Sequence, residues 1–66
     1  MNGTIKTKIS KKQFKELIIQ FQKDPNYFNY KSQNDEYFSF LHKKGNIDIK
    51  LYKFDKNYYL EIVSLS

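Results

Sequence analysis

Residues 37–64 have the sequence YFSFLHKKGNIDIKLYKFDKNYYLEIVS, in which β-branched and aromatic residues form three runs. Short polar segments separate the runs, Lys43-Lys44-Gly45-Asn46 at the first break and Asp55-Lys56 at the second. Runs of this kind, bounded by turn residues, predict consecutive antiparallel strands. The pairing register follows from which apolar residues share a face, because a one-residue slip moves every side chain to the other face.

One register places the apolar residues of all three runs on a single face. Its defining pairs are Ile47–Ser64, Ile49–Ile62, Leu51–Leu60, Phe40–Ile49 and Phe38–Leu51. An earlier strand, ending in a three-residue turn at Gln33–Asp35, is expected to add to this face. That turn would bring Phe28 and Tyr30 inward, beside Phe40 and Phe38.

A helix is predicted from about Lys11 to Lys23, before the strands. Ser10 is a favourable N-cap and Gln13 stands three residues later, as in a capping box. Asp24-Pro25 ends the helix, because the residue before proline is pushed out of the α region. One apolar stripe falls at helical spacing and has to cover the sheet; it consists of Phe14, Leu17, Ile18 and Phe21.

The predicted fold is α+β, with the element order β-α-β-β-β-β and one helix packed on an antiparallel meander sheet. The alternating segment Thr4–Ile9 is the first strand, and its neighbour in the sheet is left open. The 66 residues form a single domain, 1–66. The chain has no cysteine, no apolar run of membrane-spanning length and no apolar signal segment. We therefore expect no disulfide, no membrane partner and a location in the cytoplasm.

The formal charge is +5, and all twelve basic residues are lysines. A domain with this charge is drawn to phosphates or to acidic protein surfaces. The absence of arginine argues against sequence-specific recognition of duplex DNA. Bidentate contacts from arginine to guanine are the commonest way in which proteins recognise a DNA sequence in the major groove. The abundance of lysine, asparagine, isoleucine, phenylalanine and tyrosine is also what an AT-rich genome produces, so selection for a basic surface stays open.

The same register defines the face that the helix leaves uncovered. Tyr37, Tyr52 and Tyr59 form a row across three strands, with Lys31 beside Tyr37. Two further rows are expected, one of Ser39, Lys50 and Glu61, with Lys50 and Glu61 as an opposite-charge pair, and one of Tyr27, Leu41, Asp48 and Val63.

Three interpretations of the tyrosine row remain open. It could be a stacking platform for unpaired bases, a protein–protein interface, or a set of cross-strand pairs that only stabilises the sheet. Lysines on the outer side of the helix could steer a partner or simply be solvated. The candidate partner-binding residues are Tyr37, Tyr52, Tyr59, Lys31 and Lys50, with Lys11, Lys12 and Lys15 on the helix.

Catalytic chemistry is not expected. Nucleophilic catalysis needs a nucleophile held by a base, and the chain has one histidine, His42, and no cysteine. The carboxylates are scattered through turns, and no group of residues has the spacing of a metal site. We expect no cofactor and no metal.

The layout of one helix against an antiparallel meander resembles the cystatin-like roll. The Q-x-V-x-G wedge that cystatins use on proteases is absent, since the equivalent turn is Gln33-Asn34-Asp35-Glu36-Tyr37. No cystatin site residue is therefore carried over.

In size and residue usage the chain is similar to small phage and mobile-element proteins, including anti-CRISPR inhibitors. That resemblance implies a non-enzymatic inhibitor that blocks a host nucleic-acid-handling complex, such as a CRISPR-type nuclease, by occupying a surface. The implied partner is a host protein or ribonucleoprotein, and the site of action is the host cytoplasm. The alternative is a low-specificity single-stranded DNA- or RNA-binding protein. A homodimer is compatible with either function.

Overall fold

The computed structural model of the chain describes residues 3–65. It has one helix and a five-stranded antiparallel sheet, which confirms the predicted α+β class and element order. The elements are β1 (Gly3–Ile9), α1 (Lys11–Lys23), β2 (Tyr27–Gln33), β3 (Tyr37–His42), β4 (Ile47–Phe54) and β5 (Asn57–Ser64).

The helix begins and ends at the predicted residues. The Gln13 backbone N–H donates to Ser10 Oγ at 3.0 Å, and the Ser10 N–H donates to Gln13 Oε1 at 2.9 Å. This reciprocal pair satisfies two backbone donors that a helix start would leave without a partner. At the other end, Asp24 Oδ1 accepts from the backbone N–H of Asn26 at 2.9 Å and turns the chain toward β2.

The strand order is β1-β5-β4-β3-β2, so the two strands that flank the helix in sequence lie at opposite edges of the sheet. Every neighbouring pair is antiparallel. The first strand, whose neighbour the sequence left open, pairs with β5. The helix packs on one side of the sheet, which we call the inner face. The opposite side, which carries Tyr37, Tyr52 and Tyr59, is the outer face.

The predicted register of β3, β4 and β5 is confirmed at every pair, and it places the core on the inner face. Phe40 and Leu51 are completely buried there. The ring of Phe21 stacks on Phe40 at 5.5 Å between centroids. The core residues are Phe14, Phe38, Phe40, Ile49 and Leu51.

The last hairpin turns through only Asp55 and Lys56, with Phe54 opposite Asn57. Both turn residues have positive φ angles, 49° and 69°. This is the backbone of a type I′ turn, whose twist matches that of the flanking strands. The tight turn sets Tyr52 directly opposite Tyr59.

The predicted inward orientation of Phe28 and Tyr30 is wrong. The register of β2 against β3 shifts between Asn29 and Lys31, which leaves Tyr30 as an extra residue in a β-bulge. The turn also lies one residue later than expected, with Gln33 opposite Tyr37. As a result Phe28 and Tyr30 are 51% and 47% exposed and lie outside the core.

The predicted place of Tyr27 on the outer face is also wrong. Tyr27 pairs with His42, and its ring meets Phe21 of the helix edge to face at 5.1 Å. It therefore faces inward. Phe28, opposite Leu41, takes the outer position instead.

Candidate functional site: the outer face of the sheet

Three rows of directly opposed residues cross all five strands of the outer face. The first contains the tyrosine row, Tyr37, Tyr52 and Tyr59, with Gln33 at one end and Lys8 at the other. The second is Lys31, Ser39, Lys50, Glu61 and Lys6, and the third is Phe28, Leu41, Asp48, Val63 and Thr4. The face thus combines aromatic rings with four lysines and two carboxylates.

The three tyrosine rings pack against one another along the predicted row. The centroids of Tyr37 and Tyr52 are 6.0 Å apart with the ring planes 27° from parallel, and those of Tyr52 and Tyr59 are 5.6 Å apart at 33°. These separations lie in the range of attractive offset aromatic pairs. Tyr52 lies between its two neighbours, so the three rings form a continuous ridge of aromatic surface.

Lysine ammonium groups lie over the rings at both ends of the row. Lys31 Nζ is 5.5 Å from the ring centroid of Tyr37, and Lys6 Nζ is 4.8 Å from that of Tyr59. Both distances are within reach of a cation–π attraction. Contact with the Tyr52 hydroxyl raises the pKa of Lys6 above its usual value. The ring faces of the row therefore already have partners within the protein.

Lys50 and Glu61 are opposed in the sheet, as predicted, but each takes a different polar partner. Lys50 Nζ lies 3.6 Å from Asp48 Oδ2 and 3.4 Å from the Tyr37 hydroxyl. Glu61 Oε1 accepts from the Tyr52 hydroxyl at 3.1 Å. Burial lowers the pKa of Lys50, but the contacts to Tyr37 and Asp48 outweigh it, and the net shift is upward. Charged groups thus hold the hydroxyls of Tyr37 and Tyr52 in place.

Tyr30, the bulged residue, extends over the outer face and covers a buried carboxylate. Its hydroxyl donates to Asp48 Oδ2 at 2.6 Å, and Asp48 is only 8% exposed. The other oxygen, Asp48 Oδ1, is buried and has no hydrogen-bond partner among residues 3–65. Burial, and then the hydrogen bond to Asp48, raises the pKa of the Tyr30 phenol.

This contact predicts a specific alkaline titration. Because the folded state raises the pKa of Tyr30, the protonated phenol stabilises the fold at pH values below the usual phenol pKa of about 10. That stabilisation is lost as the pH rises through the folded-state value. Ultraviolet absorbance of the phenolate should show one tyrosine that ionises above the ordinary range, and Tyr30→Phe should remove that step. A late step that survives in Tyr30→Phe would assign it to another residue.

The structure brings five of the eight predicted site residues together and separates the other three from them. Tyr37, Tyr52, Tyr59, Lys31 and Lys50 share the outer face. Lys11, Lys12 and Lys15 are exposed on α1, which lies on the other side of the sheet. Ile19, 51% exposed on the same helix, is also remote from the tyrosine row.

Four contributors to the outer face are not predicted by the sequence pattern, Lys6 and Lys8 of β1 and Phe28 and Tyr30 of β2. Lys6 and Lys8 alternate with Thr7, which predicts a shared face, but nothing local shows that β1 pairs with β5 beside Tyr59. A regular strand without the bulge would point Tyr30 inward, toward the core. The pairing of β1 with β5, and of β2 with β3, determines on which face these side chains lie.

The single histidine has a structural role. His42 Nδ1 accepts the backbone N–H of Lys44 at 3.1 Å, within the turn that follows β3. Its ring meets Tyr27 edge to face at 5.0 Å. Within residues 3–65, no three histidine or carboxylate side chains come together as a metal site.

The part of the chain that the structure describes has no helix with the length and apolar character needed to cross a membrane. Comparisons with protein-family models, with curated proteins and with solved structures found no match to this chain.

Proposed function

We propose that this protein is a non-enzymatic binding protein that docks its outer face on an acidic surface of a protein partner. The observation that carries this proposal is the packed tyrosine row with lysines over both ends, Lys31 over Tyr37 and Lys6 over Tyr59. Rigid tyrosines offer a large contact area at low cost in conformational entropy, which is why protein interfaces favour them.

The ring packing favours a protein partner over stacked bases. A base that stacks on an aromatic side chain needs an open ring face. Tyr52 has a tyrosine on either side, and the outer rings have lysines over them. Stacking would therefore require these contacts to be displaced, whereas a protein surface can pack on the ridge as it stands.

The charge of the outer face favours an acidic partner. Lys6, Lys8, Lys31 and Lys50 outnumber Asp48 and Glu61, and the whole chain carries +5. Complementary charge speeds association and suppresses wrong partners more than it adds affinity. The lysines then steer the partner, while the tyrosines supply most of the contact energy.

The narrower form of the proposal is an inhibitor of a host nucleic-acid-handling complex, which acts by occupying a surface. Its support is the small size and the basic charge of the chain. A basic protein is repelled by the basic channel that holds nucleic acid in such a complex. The target would therefore be an acidic protein surface of the complex.

The alternative is direct, weakly specific binding of single-stranded nucleic acid, which the combination of tyrosines and lysines on one face supports. The two functions differ in salt dependence. Binding through several phosphates weakens steeply with salt, with a log–log slope of about −0.7 per contact on single strands. Docking that depends on the packed tyrosines should show a shallower slope.

Affinity capture with matched charge variants tests the proposal. The wild-type protein, a variant with Lys6, Lys8 and Lys31 changed to Ser, and a variant with Lys11, Lys12 and Lys15 changed to Ser would each be used as bait. Each variant loses three exposed charges, but from opposite sides of the sheet.

Captured material from lysate of the native cells would be analysed by mass spectrometry and by RNA sequencing, with and without ribonuclease. We expect a protein partner that survives ribonuclease and that the outer-face variant alone captures less well, because slower association lowers the affinity. Recovery of nucleic acid without any protein would favour the alternative function. Equal loss with both variants would contradict docking through the outer face.

A further inference from the structure

The two edges of the sheet differ in regularity. The β2 edge is interrupted by the bulge at Tyr30, and the Asn29 side chain donates to the backbone oxygens of Lys31 and Ser39 at 3.0 and 2.9 Å. The β1 edge has no such interruption. All seven residues from Gly3 to Ile9 pair with β5 without a register shift.

The far side of β1 is open within residues 3–65, since no other strand pairs with it there. Six of its seven residues are exposed. An edge strand presents a row of unpaired backbone N–H and C=O groups, which is a template for one more strand. Natural proteins commonly block such an edge with a bulge or a proline, and β1 has neither.

The side chains of β1 show what kind of strand would fit. Lys6 and Lys8 lie on the outer face, opposite Glu61 and Tyr59 of β5. Ile5 lies on the inner face, opposite Ile62, and is 64% exposed. An added strand would therefore lie beside the exposed Lys8 on one side and the uncovered Ile5 on the other. The Lys6 ammonium lies over the Tyr59 ring and would turn from it to meet the added strand.

We infer that β1 binds an extended acidic segment of a partner protein as a sixth strand. Main-chain hydrogen bonds would supply affinity, and alternate side chains would supply specificity. Carboxylates would lie beside Lys6 and Lys8, since opposite charges across neighbouring strands attract. β-Branched residues at the alternate positions would cover Ile5. The inference concerns the edge of the sheet and does not require the outer face to be a binding surface.

A second copy of the chain fits this edge poorly. The antiparallel register that pairs all seven residues of two β1 strands sets Lys6 against Lys6 of the other copy. Like charges directly opposite are destabilising, and two chains of +5 repel each other overall. Lysines on an edge strand disfavour pairing between two copies of the same protein. In this chain they favour pairing with an acidic strand instead.

The probe for this inference is a capped eight-residue peptide of alternating Glu and Val. A peptide of alternating Lys and Val is the matched control. Binding would be measured by titration, and amide hydrogen exchange of the wild-type protein would be followed by NMR. We expect only the acidic peptide to bind, and the alternate β1 amides that do not bond to β5 to exchange more slowly in the complex.

Two charge-reversal variants separate strand addition from general attraction to lysine. Lys6→Glu with Lys8→Glu should weaken peptide binding about tenfold, while Lys11→Glu with Lys12→Glu, which changes the net charge equally, should leave it nearly unchanged. Equal weakening by both variants would overturn the inference. So would binding that leaves β1 exchange unaltered in the wild-type protein, a result that does not depend on how the variants fold. Slow β1 exchange without peptide, together with dimer formation, would assign the edge to a second copy instead.

Discussion

Replacing Phe40 with alanine is expected to leave most of the protein unfolded at room temperature. Phe40 is completely buried, stacks on Phe21 and pairs with Ile49. Deleting such a side chain typically costs about 3–5 kcal/mol. Total stabilities of domains are about 5–15 kcal/mol, and small domains lie at the low end. Thermal and urea unfolding followed by circular dichroism would measure the loss.

Phe28→Ala is the matched control for this experiment, since it removes the same side chain from an exposed position in β2. Phe28 is 51% exposed and lies outside the core, so the cost should stay below about 1 kcal/mol. A loss comparable to that of Phe40→Ala would mean that Phe28 points inward and that the bulge at Tyr30 is misplaced.

The second large effect is expected at Tyr52, and it concerns binding. If the outer face docks on a partner, Tyr52→Ala should cost about 2 kcal/mol or more of binding free energy, roughly a thirtyfold loss of affinity. Tyr52 is the central ring, and interface anchors cluster where water is best excluded. Cross-strand contacts of this type contribute only about 0.2–1 kcal/mol each to folding, so the variant should remain folded.

Ile19→Ala is the control on the opposite surface. Ile19 is the half-exposed apolar residue of the helix, and its removal should change affinity little. Surface-capture kinetics with the partner would measure both variants, and calorimetry would confirm that both are folded. A greater loss with Ile19→Ala would make the helix the contact surface and leave the tyrosines as supports of the sheet.

Most of the fold could be predicted because the alternation of apolar residues and the positions of the turns specify the same strand register. In β4, Ile47, Ile49 and Leu51 alternate with polar or charged residues, and the two-residue turn at Asp55-Lys56 allows one register that matches them with β5. The helix was predictable because its first turn carries the capping box of Ser10 and Gln13. The tyrosine row followed from the register alone.

The bulge could not be predicted from the sequence. The apolar pattern of β2 suits either face of the sheet, since it consists of Tyr27, Phe28 and Tyr30. A single extra residue in the strand does not change that pattern in a recognisable way. The local sequence therefore placed Tyr30 in the core, whereas its hydroxyl contacts Asp48 on the outer face. Such a contact depends on residues 18 positions apart.

The position of β1 in the sheet could not be predicted either, because β1 pairs with β5, a strand that is remote from it in the sequence. The alternation of Thr4–Ile9 predicts a strand but not its neighbour. The lysine contacts at the Tyr59 end of the row follow only from that pairing. Local patterns thus predicted the centre of the candidate site, and long-range pairing determined its ends.

Thiol protection tests most directly whether the outer face is the binding surface. The chain has no cysteine, so Gln33→Cys and Gln20→Cys each introduce a unique thiol without changing the charge. Gln33 is exposed beside Tyr37 on the outer face, and Gln20 is exposed on the helix. The measurement is the alkylation rate of each thiol with and without saturating partner. We predict that the partner slows alkylation in Gln33→Cys and leaves Gln20→Cys unchanged; protection of Gln20→Cys alone would contradict the account.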